Sequence, residues 1–276
     1  LLANQAVGGD IVAAVPAAAA VELYHTWTLI HDDVIDGDTM RRGQPTVHVQ
    51  GALWGHRDFG LAPDSAKQYG RDVAILAGDA LHGWSIASLL SCVERGVAPS
   101  LVVELVQRMN LELTPRLLEG EMLDVQFSHQ KVEAIGREQV LHMMRLKTGA
   151  LLEFAATAGA AIGTGRAPGS DAAVDALGRY ASLCGVAFQL QDDILGILGD
   201  EARLGKPVGS DIREGKATLL VLHALEVLAP AAREQLLATL GCRDASASAV
   251  AETTASLRAC GAVAATRGVA ESYLSA

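Results

Sequence analysis

Clustered basic residues and aromatic side chains are both scarce in this sequence. Aromatic residues occupy 4% of the 276 positions, and the formal net charge is −10. Nucleic-acid-binding surfaces usually combine lysines and arginines grouped on one face with aromatic side chains that stack on bases. We therefore expect no nucleic-acid partner. An anionic ligand could approach this acidic chain only with cations as intermediaries.

Cysteines are few and scattered. They are Cys92, Cys184, Cys242 and Cys260. They form no C-x-x-C pair and no Cys/His spacing typical of zinc sites, so reduced thiols in a cytoplasmic protein are the simplest interpretation. The apolar N-terminal stretch contains Asp10 and Glu22 and has no basic region before it. We therefore expect no signal peptide.

Strand-type alternation of apolar and polar residues is also rare. Half of the residues are apolar, and alanine and leucine dominate, which favours helices. The predicted helices cover residues 11–36, 71–92, 99–127, 132–146 and 171–198, and further helices follow residue 218. Two stretches rich in glycine, 37–70 and 199–215, are predicted to be loops.

The sequence offers no linker and no convincing domain boundary. A chain of 276 residues can bury one large helical core. The apolar stretch 150–165 is interrupted by Glu153 and is too short to span a bilayer, so we expect no transmembrane segment. We predict an all-α chain in which residues 1–276 form a single domain, one large helical bundle.

Three aspartates stand together where a long apolar helical pattern ends. Asp32, Asp33 and Asp36 are spaced so that they lie on or beside one stripe of a helix. Like charges at this spacing repel each other unless cations neutralise them. Mg2+ binds carboxylate oxygens and completes its shell with water and substrate phosphates, and Arg41 and Arg42 suit a phosphate-bearing ligand. The alternative interpretation is a solvated helix end.

A second acidic motif stands far down the chain. Asp192 and Asp193 again follow a long apolar run, within the sequence Gln189-Leu190-Gln191-Asp192-Asp193. Two acidic ends on two core helices would line a cleft with carboxylates. This repetition favours the metal interpretation over the solvated helix end.

Lysines stand at predicted breaks between helices. Lys147 is followed by Thr148 and Gly149, and it could bind a phosphate or, alternatively, complement a helix dipole. Lys206 and Lys216 belong to the glycine-rich segment after the second acidic motif. They could close onto an anion as part of a mobile lid, or they could be solvated.

The ordered set of motifs resembles the trans-isoprenyl diphosphate synthases, or polyprenyl synthetases, of the short-chain farnesyl and geranylgeranyl type. The matching elements are Glu22-Leu-Tyr-His25, Asp32-Asp33-x-x-Asp36, Arg41-Arg42-Gly43, Gly78-Asp79, Gly120-x-x-x-Asp124, Lys147-Thr148-Gly149, Phe188-Gln189-x-Gln191-Asp192-Asp193, Gly205-Lys206 and Ser210-Asp211-x-x-x-Gly215-Lys216-x-Thr218. The resemblance implies an isoprenoid-synthase helical bundle with a central active-site cavity, a homodimer, and head-to-tail joining of an allylic diphosphate to isopentenyl diphosphate.

The resemblance also implies a role for each matching residue. Mg2+, as three ions, would be bound by Asp32, Asp33 and Asp36 on one side of the allylic diphosphate and by Asp192 and Asp193 on the other. The implied contacts to the allylic diphosphate are Arg41, Lys147, Lys206 and Lys216. The diphosphate of isopentenyl diphosphate would be held by His25 and Arg42. The carbocation would be faced by Thr148 and Gln189.

Residues before the first acidic motif bear on product length. Trp27 and Thr28 stand about one turn before Asp32, and Tyr24 stands nearly a turn further back. Helix geometry directs these side chains away from the carboxylates into the core. The resemblance implies that a bulky residue at the position of Trp27 acts as the floor of the tunnel that holds the growing chain. We predict a product of twenty carbons, with fifteen as the alternative.

The chain departs from the family pattern in three places. Gly196 replaces the third aspartate of the second motif, so we expect weaker or shifted metal binding there. Glu121 stands where the family often has glutamine. The family's Gly-Lys-x-x-Arg-Pro motif is expected to lie before Leu1, in an N-terminal segment missing from this sequence.

Two other functions compete with a linear prenyl synthase. A class I terpene cyclase would share the fold and the metal cluster, but it would need an Asn-x3-Ser/Thr-x3-Glu/Asp motif. Here Asn110 and Thr114 lead to Leu118 instead of an acid. A non-catalytic regulatory subunit of a heteromeric synthase should have lost metal ligands that this chain retains.

Overall fold

The structure, a computed structural model, describes residues 1–199 and 209–276. Helices account for most of this part of the chain, which confirms the predicted all-α class. Strands within the described residues are limited to one short antiparallel pair. The chain divides into two compact units. Unit 1 comprises Leu1–Met109 and Ala155–Leu177, and unit 2 comprises Asn110–Phe154 and Gly178–Ala276.

The first part of unit 1 contains five helices and the strand pair. They are α1 (Leu2–Ala6), α2 (Ile11–Asp36), β1 (Met40–Arg41), β2 (Gln44–Pro45), α3 (Val47–Phe59), α4 (Pro63–Leu90), which a short 3-10 helix (Ser91–Arg95) extends, and α5 (Pro99–Arg108). Helix α2 packs against α4. Small residues are buried at four-residue spacing on α4 (Ala66, Gly70, Ala74 and Gly78), and Gly78 faces α2, because a Cβ there would overlap the ring of His31.

The remaining helical elements contribute to unit 2, although three of them also supply residues of unit 1. They are a π-helical turn (Met109–Leu113), α6 (Thr114–Ser128), a 3-10 helix (Val132–Ala134), α7 (Arg137–Met144), a second π-helical turn (Arg145–Gly149), α8 (Ala150–Thr164), α9 (Ala172–Leu198), α10 (Ser210–Glu214), α11 (Leu219–Val227), α12 (Pro230–Thr239), α13 (Ala247–Ala259) and α14 (Ala262–Leu274). Helix α11 is mostly apolar, and its residues Leu219, Leu220, Val221, Leu222 and Ala224 are buried in the core of unit 2.

Helix α2 matches the predicted range. Its first turn is capped because Asp10 Oδ1 accepts a hydrogen bond from Val12 N at 2.9 Å. The helix continues through Pro16 and ends at Gly37, which has a left-handed backbone conformation with a φ of 73°. The first acidic motif therefore occupies the last turn of a long helix.

The predicted loop over residues 37–70 is wrong for most of its length. Helix α3 lies inside it, and α4 begins at Pro63. The glycines that indicated a loop instead allow two helices to approach closely. A Cβ at Gly70 would overlap the carbonyl oxygen of His48, and a Cβ at Gly51 would lie 2.9 Å from the Cα of Gly70.

The predicted break at Lys147 is confirmed. Residues Arg145–Gly149 form a π-helical turn between α7 and α8, and such turns are frequent at functional sites. Gly149 allows this turn to pack closely against α9, since a Cβ added at this position would lie 3.0 Å from the carbonyl oxygen of Ser182.

Two helical segments of the described chain are long and apolar enough to cross a membrane by length and composition alone. They are Pro63–Arg95 and Ala172–Leu198. Core helices of globular proteins pass the same test, so this observation is weak evidence for a membrane span.

Candidate active site

Arg41 is paired with the aspartates of the first acidic motif. Its Nε donates to Asp33 Oδ1 at 2.6 Å, and its Nη2 lies 3.4 Å from Asp32 Oδ2 and 3.5 Å from Asp38 Oδ2. The chain after α2 therefore folds back and places the guanidinium of Arg41 beside the last turn of α2. There it offsets part of the repulsion among the carboxylates.

Burial shifts the protonation of two predicted site residues in unit 1. Burial raises the pKa of Asp33, although its pairing with Arg41 opposes the shift. Burial likewise lowers the pKa of His25; Glu22 opposes this, and the charges of Arg42 and Arg41 add to it. His25 is therefore a neutral imidazole near pH 7, and it can donate one N–H to an anion.

A tight hairpin presents the two predicted arginines. Strands β1 and β2 pair Arg41 with Gln44, so Arg42 and Gly43 form a two-residue turn. Both turn residues have positive φ, 52° and 73°, as a type I′ turn requires. Arg42 is the single non-glycine residue with positive φ in the part of the chain that the structure describes. This conformation costs an arginine about 1–2 kcal/mol.

The predicted chain-length residues form part of an aromatic cluster in unit 1. Tyr24 is fully buried, and its ring centroid lies 4.9 Å from that of Trp27 in an edge-on arrangement. The His82 ring, on α4, lies 4.5 Å from Trp27. Trp27 Nε1 donates to His31 Nδ1 at 3.1 Å, which fixes the indole. Thr28 is partly buried and bonds to the backbone carbonyl of His25.

Lys147 is held by two carboxylates of α6. Its Nζ lies 2.7 Å from Asp124 Oδ2 and 2.8 Å from Glu121 Oε2. The approach of α6 depends on Gly120, because a Cβ there would lie 2.5 Å from the backbone nitrogen of Lys147. Glu121 and Asp124 share one face of α6, as their spacing predicts, and that face carries the partners of Lys147.

A cavity of unit 2 gathers five predicted site residues. They are Lys147, Thr148, Gln189, Asp193 and Lys216. A chain of hydrogen bonds orders its polar side chains. Thr148 Oγ1 donates to Gln189 Oε1 at 3.1 Å, and Gln189 Nε2 donates to Asp193 Oδ1 at 3.3 Å.

Asp193 is the most strongly perturbed acid in this cavity. Its residue is 7% exposed, and its Oδ2 is buried without a hydrogen-bond partner among the described residues. Burial raises its pKa well above the ordinary value, the charge of Asp211 raises it further, and Lys216 opposes the shift. Buried carboxylate oxygens without partners are costly, so this atom needs a proton or a cation.

The other predicted residues lie outside this cavity. Asp192 is exposed and does not line it. By contrast, Lys216 lines the cavity, and its Nζ lies 3.2 Å from Glu214 Oε2. Lys206 lies outside the described residues. The predicted residues in unit 1 are Tyr24, His25, Trp27, Thr28, Asp32, Asp33, Asp36, Arg41 and Arg42.

Two residues at the site received no role from the sequence. His82 contacts Trp27, and its only signal was its position one turn after Gly78 on an apolar helix. Asp211 stood in a recognised motif, but nothing in its spacing placed it beside Gly196 of α9.

A sequence model of the polyprenyl synthetase family matches residues 1–257. The chain is 40% identical over 232 residues to a short chain isoprenyl diphosphate synthase of Methanocaldococcus jannaschii, covering 84% of this chain and 62% of the relative. It is 36% identical over 245 residues to a geranylgeranyl diphosphate synthase of Sulfolobus acidocaldarius, covering 89% of this chain and 66% of the relative.

A solved structure also matches. It is the geranylgeranyl pyrophosphate synthase of Corynebacterium glutamicum in complex with isoprenyl diphosphate and magnesium, at a TM-score of 0.82 and 32% identity, covering 96% of this chain and 72% of that one. The chain spans less than two thirds of the length of the two curated relatives. The family match covers most of the chain, and the fold agrees with it. The chain belongs to the polyprenyl synthetase family.

Proposed function

We propose that this protein is a trans-prenyltransferase that joins an allylic diphosphate to isopentenyl diphosphate. The carbon–oxygen bond of the allylic diphosphate breaks, and its electron pair leaves with inorganic pyrophosphate. A carbon–carbon bond forms to isopentenyl diphosphate, one proton is lost, and the product is a linear prenyl diphosphate. The main support is the cavity that places Lys147, Thr148, Gln189, Asp193 and Lys216 together.

The acidic residues fit a hard divalent cation. The buried Asp193 Oδ2 has no partner among the described residues, and every candidate ligand is a carboxylate oxygen. We propose that Asp32, Asp33 and Asp36, together with Asp192 and Asp193, hold three Mg2+ ions. These ions would neutralise the charge of the diphosphate leaving group.

The cationic residues would divide between the two substrates. Lys147 and Lys216 line the cavity and would stabilise the growing charge on the departing pyrophosphate, as Arg41 and Lys206 would. The neutral His25 and the exposed Arg42 would hold the diphosphate of isopentenyl diphosphate. All of these contacts orient the reacting carbons.

Thr148 and Gln189 would face the positive carbon of the broken substrate. Their mutual hydrogen bond fixes the orientation of the Gln189 amide, so that oxygen atoms rather than N–H groups can be turned to a cation. Asp193 Oδ1 accepts from the same amide, which couples the orientation of the amide to the acidic site.

We further propose that the aromatic cluster limits product length. Tyr24 and Trp27 occupy the buried face of α2 below the first acidic motif, and His82 supports Trp27 from α4. A large rigid ring at this depth would stop the chain at twenty carbons, with fifteen as the alternative.

The surface and the cysteines support two further proposals. Large apolar residues on α3 and α4 are exposed, among them Leu53, Leu76 and Trp84 at 56%, 67% and 62%. An apolar surface of this kind suits a homodimer. All four cysteines are free thiols, which suits a cytoplasmic location.

Product analysis tests the proposed function. The protein is incubated with Mg2+, isopentenyl diphosphate and an allylic diphosphate, and the products are identified by mass spectrometry after dephosphorylation. A linear prenyl alcohol supports the proposal. A cyclic hydrocarbon would instead support a terpene cyclase, and absence of turnover would support a regulatory subunit.

A further inference from the structure

His31 links Trp27 to the backbone of the neighbouring helix. Trp27 Nε1 donates to His31 Nδ1 at 3.1 Å, and His31 Nε2 lies 3.1 Å from the carbonyl oxygen of Ile75 on α4. An indole N–H can only donate, so Nδ1 must accept, and a neutral imidazole then carries its proton on Nε2. That N–H donates to the Ile75 carbonyl. The indole on α2 is therefore connected to α4 by two hydrogen bonds in series.

Gly78 of α4 makes room for the His31 ring. A Cβ at Gly78 would overlap Nε2 of His31 and would lie 3.1 Å from Cδ1 of Trp27. A larger side chain at this position would therefore displace the histidine from the Ile75 carbonyl. Gly83 of the same helix differs, because a Cβ there would meet no atom of the described residues within 4 Å. The close approach is specific to Gly78 and is not a general property of the glycines of α4.

The two hydrogen bonds oppose rotation of the indole. Trp27 is 9% exposed, and the ring of His82 lies 4.5 Å from its ring. A prenyl chain that grows past Trp27 must move the indole aside, and this movement breaks the bond between Nε1 and His31 Nδ1. The indole N–H is then a buried donor without an acceptor, which is costly. The barrier to a longer product therefore depends on how firmly the ring is held as well as on its size.

We propose that His31 is a positioning residue that sets product length by holding Trp27 against rotation. This inference rests on the proposed function, in which Trp27 limits the length of the prenyl chain. It goes beyond that proposal because it assigns the specificity to a hydrogen-bonded unit of α2 and α4. Its members are the indole of Trp27, the imidazole of His31, the carbonyl of Ile75 and the open position at Gly78. His31 acts through Trp27 and not on the substrate.

The test compares product length in variants that break this unit from either helix. His31→Phe keeps a ring and removes both nitrogens, whereas Gly78→Ala leaves residue 31 unchanged and displaces its ring from α4. Each protein is incubated with Mg2+, isopentenyl diphosphate and an allylic diphosphate. We expect both variants to raise the share of products longer than the wild-type product at least about fivefold, the scale set by a buried donor that loses its acceptor. The matched control Gly83→Ala should give the wild-type product distribution.

A double-mutant cycle links the effect to the indole N–H. Trp27→Phe removes this donor, so adding His31→Phe to it should change the share of longer products by less than about twofold. Nuclear magnetic resonance of protein labelled with 15N-tryptophan gives a readout that does not depend on activity. The Trp27 indole N–H should exchange slowly with solvent in the wild type and faster in His31→Phe. Unchanged signals of Trp54 and Trp84 show that the variant is folded.

The outcomes separate this inference from the proposed function. Wild-type product length in His31→Phe and Gly78→Ala, together with a longer product in Trp27→Ala, overturns the role of His31 and leaves Trp27 as the floor. Equal lengthening by His31→Phe with and without Trp27→Phe also overturns it, because the histidine would then act independently of the indole. If His31→Phe is inactive because of its proximity to Asp32, Gly78→Ala decides the question. A wild-type protein that forms no prenyl product overturns both proposals.

Discussion

The ammonium of Lys147 lies 2.7 Å from Oδ2 of Asp124. The two residues are brought together because Gly120 lets α6 approach the π-helical turn that carries the lysine. Oε2 of Glu121 lies 2.8 Å from the same ammonium. The lysine is thus fixed in direction, at the edge of the cavity, by two carboxylates that are mostly shielded from water.

Replacing Lys147 should affect both stability and substrate binding. In Lys147→Met, the carboxylates of Glu121 and Asp124 lose their shared cation, so we expect a loss of about 1–3 kcal/mol in the free energy of unfolding. The KM for the allylic diphosphate should rise more than the KM for isopentenyl diphosphate. Urea denaturation and steady-state kinetics measure these effects.

Two variants serve as references for this prediction. Lys131→Met removes an exposed lysine and should change neither quantity. Adding Asp124→Asn to Lys147→Met should restore part of the lost stability, because one of the two opposing charges is removed. Unchanged stability and an unchanged allylic KM in Lys147→Met would contradict the assigned role.

Replacing Arg42 with glycine should stabilise the protein slightly and weaken the binding of isopentenyl diphosphate. Arg42→Gly relieves the positive φ and should stabilise the protein slightly, by at most about 1 kcal/mol, because glycine also gains freedom in the unfolded chain. The KM for isopentenyl diphosphate should rise severalfold. Arg42→Ala is the matched control, because it loses the charge but keeps the strain. A gain in stability for Arg42→Ala equal to that for Arg42→Gly would refute this interpretation of the turn.

Shortening Trp27 should lengthen the product. Trp27→Ala removes the ring that contacts Tyr24 and His82, so the growing chain can extend past this depth. The change should also cost about 3–5 kcal/mol of stability, and the milder Trp27→Leu keeps the test usable if the alanine variant unfolds. Trp54→Ala, a partly exposed tryptophan of α3, should leave product length unchanged. Unaltered chain length in both Trp27 variants would exclude Trp27 as the floor.

Asp193 should be a source of instability when divalent cations are removed. Its pKa is raised in the folded chain, so the folded state retains a proton that the unfolded state has released. The ionisation of Asp193 therefore lowers the free energy of unfolding as the pH rises. The loss begins near the pKa of an aspartate in the unfolded chain and continues up to the higher pKa of Asp193 in the folded chain. In EDTA, Asp193→Asn should lose this pH slope and be more stable than the wild type near pH 7.

The same variant should behave differently when Mg2+ and pyrophosphate are added. They should stabilise the wild type but have little effect on Asp193→Asn, because the variant lacks the ligand. Thermal unfolding across pH, with EDTA or with Mg2+ and pyrophosphate, gives both comparisons. Equal stabilisation of the two proteins by Mg2+ and pyrophosphate would show that Asp193 is not a ligand.

Sequence patterns predicted long helices better than short ones. Helix α2 was predicted at its observed bounds because a sustained apolar pattern ends at the aspartates. Helix α3 was missed because Gly51 and Gly55 resemble loop residues, whereas they allow close packing against α4. The sequence alone does not distinguish a glycine that allows two helices to pack closely from a glycine in a turn, because the difference lies in the residue that contacts it in the folded structure.

The candidate site was predictable where its residues belong to motifs. The cavity of unit 2 gathers Lys147, Gln189 and Asp193, which the motifs singled out. The contributions of His82 and Asp211 depend on contacts with residues that are distant in sequence. Local spacing carries no information about such contacts.

The most direct test of the proposed chemistry is the release of inorganic pyrophosphate. It is followed with Mg2+ and either the allylic diphosphate alone or both substrates. We predict rapid release only when isopentenyl diphosphate is also present, with one pyrophosphate formed for each carbon–carbon bond. Release from the allylic diphosphate alone at the same rate would contradict the account, because it would mean that the substrate ionises without a second substrate to join.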